Sequence, residues 1–182
     1  MRNVSSRRLL ITNFREHIGV YVLASASNAF LTVSQYLAVS AAVASYLPVD
    51  PGTSALIASY GRVPGIALAL LLNSLAFEGI LSVLVVVLAL SAIVKSGWRL
   101  AYAFSSVVIS AFVGYWLGSR FLVILEWIST LQTNRVDISS SYSSLFWFGL
   151  GATICYVLMI LILRKSYGKL GRDEHVTSKD LP

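Results

Sequence analysis

VPGIALALLLNSLAFEGILSVLVVVLALSAIV, residues 63–94, decides the fold. Its one charge is Glu78, and no other lies between Arg62 and Lys95. About 20 apolar residues suffice for a helix across a hydrocarbon core of about 30 Å, so this stretch reads as a membrane span with length to spare. Working outward, three more uncharged runs cover residues 18–49, 100–119 and 138–163. In lipid each must satisfy its own backbone hydrogen bonds, which selects helices. No ten-residue blocks alternate at period two, so a β-barrel is not expected. Composition agrees: 57% of residues are hydrophobic and 12% charged, against about 25% charged in a soluble chain.

The expected fold is therefore all-α, an integral membrane bundle of four transmembrane helices at about 18–47, 64–94, 99–131 and 138–165, with a 1–17 tail before it and a polar 168–182 tail after it. The first apolar run is about twice the length of a signal-peptide core, so cleavage is not expected. Cys155, the single cysteine, can form no intrachain disulfide and reads as a packing residue.

Lysine and arginine set the orientation. Eleven of them lie in the tail before residue 18, the 95–99 turn and the tail after residue 163, against Arg62, Arg120 and Arg135 elsewhere. The positive-inside rule puts both termini and the 95–99 turn in the cytoplasm. The net charge of +6 thus faces anionic headgroups, and no nucleic-acid partner is expected. The expected partners are the lipid bilayer and either further copies of the chain or a larger membrane complex, since four helices are few for a complete transporter.

Pro48, Asp50, Pro51 and Gly52 close the first span and open an outer loop reaching Arg62, and Pro64 suits the first turn of the next helix. Residues 120–137 read as the third helix extending outward or lying along the interface, with Asp137 or a nearby serine as the cap of the fourth.

Polar residues inside the apolar runs are the candidate site. Ser25, Asn28, Thr32 and Gln35 share one face of the first helix, either a hydrogen-bonded seam or one wall of a polar cavity. Ser74, Glu78 and Ser82 share a face of the second. At 1.5 Å per residue Glu78 stands roughly 25 Å above Lys95, level with Gln35, near Trp116 and within reach of Arg120. Glu78, Gln35, Arg120, Asn28 and Ser74 therefore form the candidate intramembrane polar site. Glu78 is either structurally paired with Arg120 or a protonatable site on an ion or solute path.

On the third helix Ser106, Ser110, Gly114 and Gly118 recur every fourth residue, a helix-packing face that fits either an internal contact or a dimer. His17 and His175 stand far apart with no ligand spacing, and no phosphate loop or nucleophile motif occurs, so neither catalysis, metal nor cofactor is expected. Asp50 and Glu126, both on the outer side, could bind a cation, although a solvated face accounts for them as well.

Residues 70–81 (LLLNSLAFEGIL) resemble the Asn-bearing segment of stage II sporulation M-type membrane proteins, without that group's second Asn-Gly motif or its Pro-His-Gly segment. The arginine-rich, lysine-poor composition fits a prokaryotic source. Together these readings favour a small transport or channel-type component, with a non-catalytic membrane subunit or scaffold as the alternative.

Overall fold

The computed structural model describes residues 3–93 and 99–179, which are helical nearly throughout, with no strand among them. Six helices follow in order: α1 Asn3–Ala38, α2 Ala41–Ala44, α3 Pro51–Tyr60, α4 Arg62–Ile93, α5 Arg99–Thr133 and α6 Ser139–Lys179. Among the described residues three helices are long and apolar enough to cross a membrane, at Arg62–Ala92, Arg99–Thr133 and Ser139–Leu170. That is one fewer than the four expected. The missing one is α1, whose apolar stretch is shortened and diluted by Asn28, Thr32, Ser34 and Gln35.

The first helix stops at Ala38 and not near residue 47. Ser40 adopts an extended conformation, and its hydroxyl accepts from the Val43 amide at 3.3 Å, starting the short α2 instead of continuing α1. Serine competes for backbone groups in this way and so favours helix starts over interiors. At its other end α1 begins at Asn3, so the expected leader is helical, as is the expected polar tail out to Lys179. The turn at 95–98 lies outside the described residues.

The expected outer loop contains a helix. Asp50 caps α3, its carboxylate accepting from the Thr53 amide at 3.1 Å and the Thr53 hydroxyl at 2.5 Å, and Pro51 takes the first position, where no amide is needed. Gly61 ends α3 at φ 88°, a conformation that a side chain resists. Four residues on, a Cβ at Gly65 would stand 2.7 Å from the Ile57 backbone, so glycine lets α4 start directly against α3.

The chain divides into two compact units. One comprises residues 26–78 and 115–154. Its core is Val43, Ala44, Leu47, Ile66, Leu70, Trp127, Leu131 and Ile138, and Arg62 fastens the start of α4 to the Ala44 and Leu47 carbonyls. The sequence allowed the segment 120–137 to extend the third helix or to lie along the interface. The structure has α5 continuous through Arg120 to Thr133, and Asp137 then accepts from the Ser139 amide at 3.1 Å to start α6.

The other unit comprises residues 1–25, 79–114 and 155–182. Leu81, Val85 and Leu88 of α4 are buried, as are Ile109 and Val113 of α5 and Met159 and Leu163 of α6. Their spacings of three and four give each helix one inward stripe. The opposite faces are equally apolar yet outward: Val83, Val86 and Leu90 are 63%, 57% and 55% exposed. A helix that is apolar all round suits a lipid surround. Near the chain ends Glu16 accepts from Ser166 at 2.6 Å and pairs with Lys169.

Candidate functional site

The polar face of α1 turns inward. Asn28 and Gln35 are each 1% exposed, so each amide needs partners from the helices around it. Asn28 Nδ2 donates to Ser74 Oγ of α4 at 2.9 Å, and Asn28 Oδ1 accepts from the Trp116 indole of α5 at 3.2 Å. Two turns further along α1, Gln35 Oε1 accepts from Arg120 Nη1 at 2.5 Å. Trp116 joins the two pairs: its ring lies 5.9 Å from the Arg120 guanidinium carbon, within cation–π range, and packs against Phe77 at 5.4 Å.

The structure thus brings Asn28, Ser74, Gln35 and Arg120 into one network running across α1, α4 and α5. Glu78 stands on α4 one turn past Ser74, half-buried. Thr32, between Asn28 and Gln35 on α1, keeps its hydroxyl buried without a hydrogen-bond partner among the described residues. Next to this stripe Ser27 donates to the Ala152 carbonyl of α6 at 2.9 Å. Asn28 and Ser27 bond α1 to its neighbours, and Gln35 both bonds α5 through Arg120 and borders a cleft.

That cleft, of about 320 Å³, opens between α1, the α2–α3 turn, α4 and α5. Gln35, Asp50, Thr53, Asn73, Arg120 and Glu126 supply its polar lining; Ile66, Leu70, Val123 and Trp127 supply much of the apolar wall. Arg120 is 7% exposed, and its Nη2 is buried with no hydrogen-bond partner among the described residues. A guanidinium carries five donors, and a neutral glutamine oxygen answers only part of that demand.

Asp50 and Glu126 are exposed at the same cleft. The Thr53 hydroxyl and amide bonds hold the Asp50 carboxyl below its ordinary value of 3.8, so it is ionised at neutral pH. The cleft therefore presents one buried cation and two outer carboxylates. Among the described residues no three His, Cys, Asp or Glu side chains gather to hold a metal ion.

The small-residue face of α5 divides as well. Ser106 and Ser110 bond their own helix at Ala103 and Ser106. Gly114 admits Tyr156, whose hydroxyl would lie 2.6 Å from a Cβ there and which donates to the Ser110 carbonyl at 2.9 Å. Gly118 is exposed, with nothing within 4 Å of where a Cβ would sit.

Spacing along the chain does not assemble this cleft: by sequence alone Asn73 carries no signal of its own, Trp116 marks only a depth, and Asp50 and Glu126 stand apart from Arg120. One signal was available: Arg120 and Trp116 lie four residues apart, as do Arg120 and Ile124, which is also buried, so Arg120 falls on an inward face. Comparison of the chain with protein-family models, curated proteins and solved structures yields no match.

Proposed function

We propose that this chain is a multi-pass integral membrane protein of the cell membrane, with α1 completing a set of four spans and both termini in the cytoplasm. It acts as a small, non-catalytic transport or channel-type component. Glu78, Gln35, Arg120, Asn28 and Ser74 form the polar site along its path, and the cleft at Arg120 is the outer binding station. The protein works as a homo-oligomer or within a larger membrane complex.

One observation carries this reading: a buried arginine whose Nη2 has no hydrogen-bond partner among the described residues and which lines an open cleft. On insertion scales a charge at the centre of a bilayer helix costs about 2.5–3.5 kcal/mol. A purely structural arginine would be expected to have its donors satisfied, because a buried group left unsatisfied costs a further 1–3 kcal/mol or about that. A buried cation with an unmet donor, lining an open cleft, suits a ligand that arrives and leaves.

The alternative, a membrane scaffold, draws on Gly118, which is open for close approach of another helix. Since Gly114 is already occupied by Tyr156, only part of that face is left for a partner.

Flux in proteoliposomes separates the two. In Glu78→Gln and Arg120→Gln proteins that remain folded, ion- or solute-dependent flux falls at least tenfold while oligomeric state in detergent is kept. Absence of flux in the wild type, together with loss of assembly in Gly118→Leu, would establish the scaffold reading instead.

A further inference from the structure

The charges of the cleft constrain what it holds. A simple anion drawn to Arg120 also meets the carboxylates of Asp50 and Glu126, and a simple cation meets the guanidinium. A ligand carrying both signs satisfies both ends. Glu126 follows Arg120 by six residues on α5, a rise of about 9 Å between their Cα atoms. Both side chains nevertheless reach the lining of the same cleft, where an oxyanion and an ammonium a few bonds apart can meet them. The apolar wall of Ile66, Leu70, Val123 and Trp127 asks for a modest hydrocarbon body. A volume of about 320 Å³ stands at the small end of ligand sites, which run from about 300 to 1,000 Å³.

We propose that the cleft binds a small zwitterion, its oxyanion on Arg120 and its ammonium toward Asp50 and Glu126. The inference rests on the reading of the cleft as a binding station and adds the class of ligand. Gln35 holds the guanidinium through Nη1, and Nη2 is the donor left for the oxyanion. A free amino acid and a phosphatidylethanolamine headgroup both present this pair of charges.

Isothermal titration of the purified full-length protein in detergent tests it, with leucine and with short-chain phosphatidylethanolamine as the two zwitterions. N-acetyl-leucine keeps only the oxyanion of leucine and leucinamide only its ammonium, while short-chain phosphatidic acid keeps the oxyanion of phosphatidylethanolamine without its ammonium. At least one zwitterion binds, and the corresponding half-ligands bind ten- to a hundredfold more weakly, or about that, as expected for losing one charge-assisted contact. Leucine binding identifies a free solute; binding of phosphatidylethanolamine alone identifies a lipid headgroup. Arg120→Gln abolishes binding. The Asp50→Asn, Glu126→Gln double variant changes only exposed side chains, and asparagine still caps α3. It reduces zwitterion affinity to that of the oxyanion half-ligand, while its unfolding temperature shows that it is folded.

The proposal is overturned if the oxyanion half-ligand binds as tightly as the zwitterion it derives from, if the double variant leaves zwitterion affinity unchanged, or if neither zwitterion binds the wild type. Binding without flux keeps this inference and removes the transport reading. Flux without zwitterion binding does the reverse.

Discussion

Gly114 offers the sharpest test of the packing, because a single methyl group has a computable consequence. An alanine Cβ there would stand 2.6 Å from the Tyr156 hydroxyl oxygen and 3.3 Å from the ring carbon bearing it. The hydroxyl must retreat by roughly 1 Å to reach ordinary contact distance. That movement breaks its 2.9 Å bond to the Ser110 carbonyl. Overpacking of this kind costs about 1–3 kcal/mol, and the lost interhelical bond adds about 0.6 kcal/mol. Against this, alanine improves on glycine within a helix by about 0.8–1 kcal/mol.

The expected net for Gly114→Ala is a destabilisation of about 1–2 kcal/mol. Tyr156→Phe alone removes the bond and costs about 0.6 kcal/mol. In the Tyr156→Phe background the clashing atom is gone and Gly114→Ala becomes close to neutral, so the cycle shows a favourable coupling of about 1–2 kcal/mol. Gly118→Ala, with open space around it, is neutral or stabilising by up to about 1 kcal/mol. Equilibrium unfolding in mixed micelles, followed by tryptophan fluorescence, measures all four. If Gly114→Ala costs the same in both backgrounds, or if Gly118→Ala is as harmful, the contact with Tyr156 is not what glycine is there for.

The Gln35–Arg120 bond gives a second cycle: Gln35→Leu leaves a buried guanidinium without its acceptor and destabilises by about 1.5–3 kcal/mol, whereas adding Arg120→Met restores most of that loss in the same unfolding assay. An undiminished cost in the double variant would show that the glutamine acts through packing alone. At Glu16, burial pushes the carboxyl upward, but the Lys169 and Ser166 hydrogen bonds and the charges of Lys169 and Lys165 outweigh it, holding the group below its ordinary 4.5. A lowered folded value means the contribution is present above 4.5 and is lost as the pH falls through the lower folded value. With the Lys169 side chain 40% exposed, screening keeps this contribution under about 1 kcal/mol. The acid limb of a stability-against-pH curve should flatten in Glu16→Gln and in Lys169→Met, and an unchanged limb in both would exclude the pair as its source.

Long-range patterning is what the chain displays openly. An uncharged run admits only a few architectures once lipid is the solvent, so the helical class and the position of α4, α5 and α6 follow from residues 63–94, 100–119 and 138–163 alone. The continuity of α5 past Arg120 was one of two legible options, since Ile124, Trp127 and Leu131 keep the helical spacing of buried residues. Less legible was the break after Ala38, because it depends on one serine hydroxyl choosing the Val43 amide. The helix at Pro51–Tyr60 was hidden for a similar reason: Pro48, Pro51 and Gly52 read as loop residues until Asp50 is seen capping the turn.

For the candidate site, the sequence by itself determined which polar residues lie within apolar helices, because hydropathy is a property of neighbours along the chain. Only the tertiary structure decided their partners. Gln35 meets Arg120 across 85 positions, and Asn28 meets Ser74 across 46 and Trp116 across 88. Such pairings turn on helix rotation and axial offset, where one residue of slip turns a side chain by about 100°. Glu78, conspicuous in the sequence, is half-buried one turn from Ser74, while the open hydrogen-bonding capacity in the cleft belongs to Arg120. Sequence can mark a charge as costly. Only packing shows which charge has been left a donor to offer.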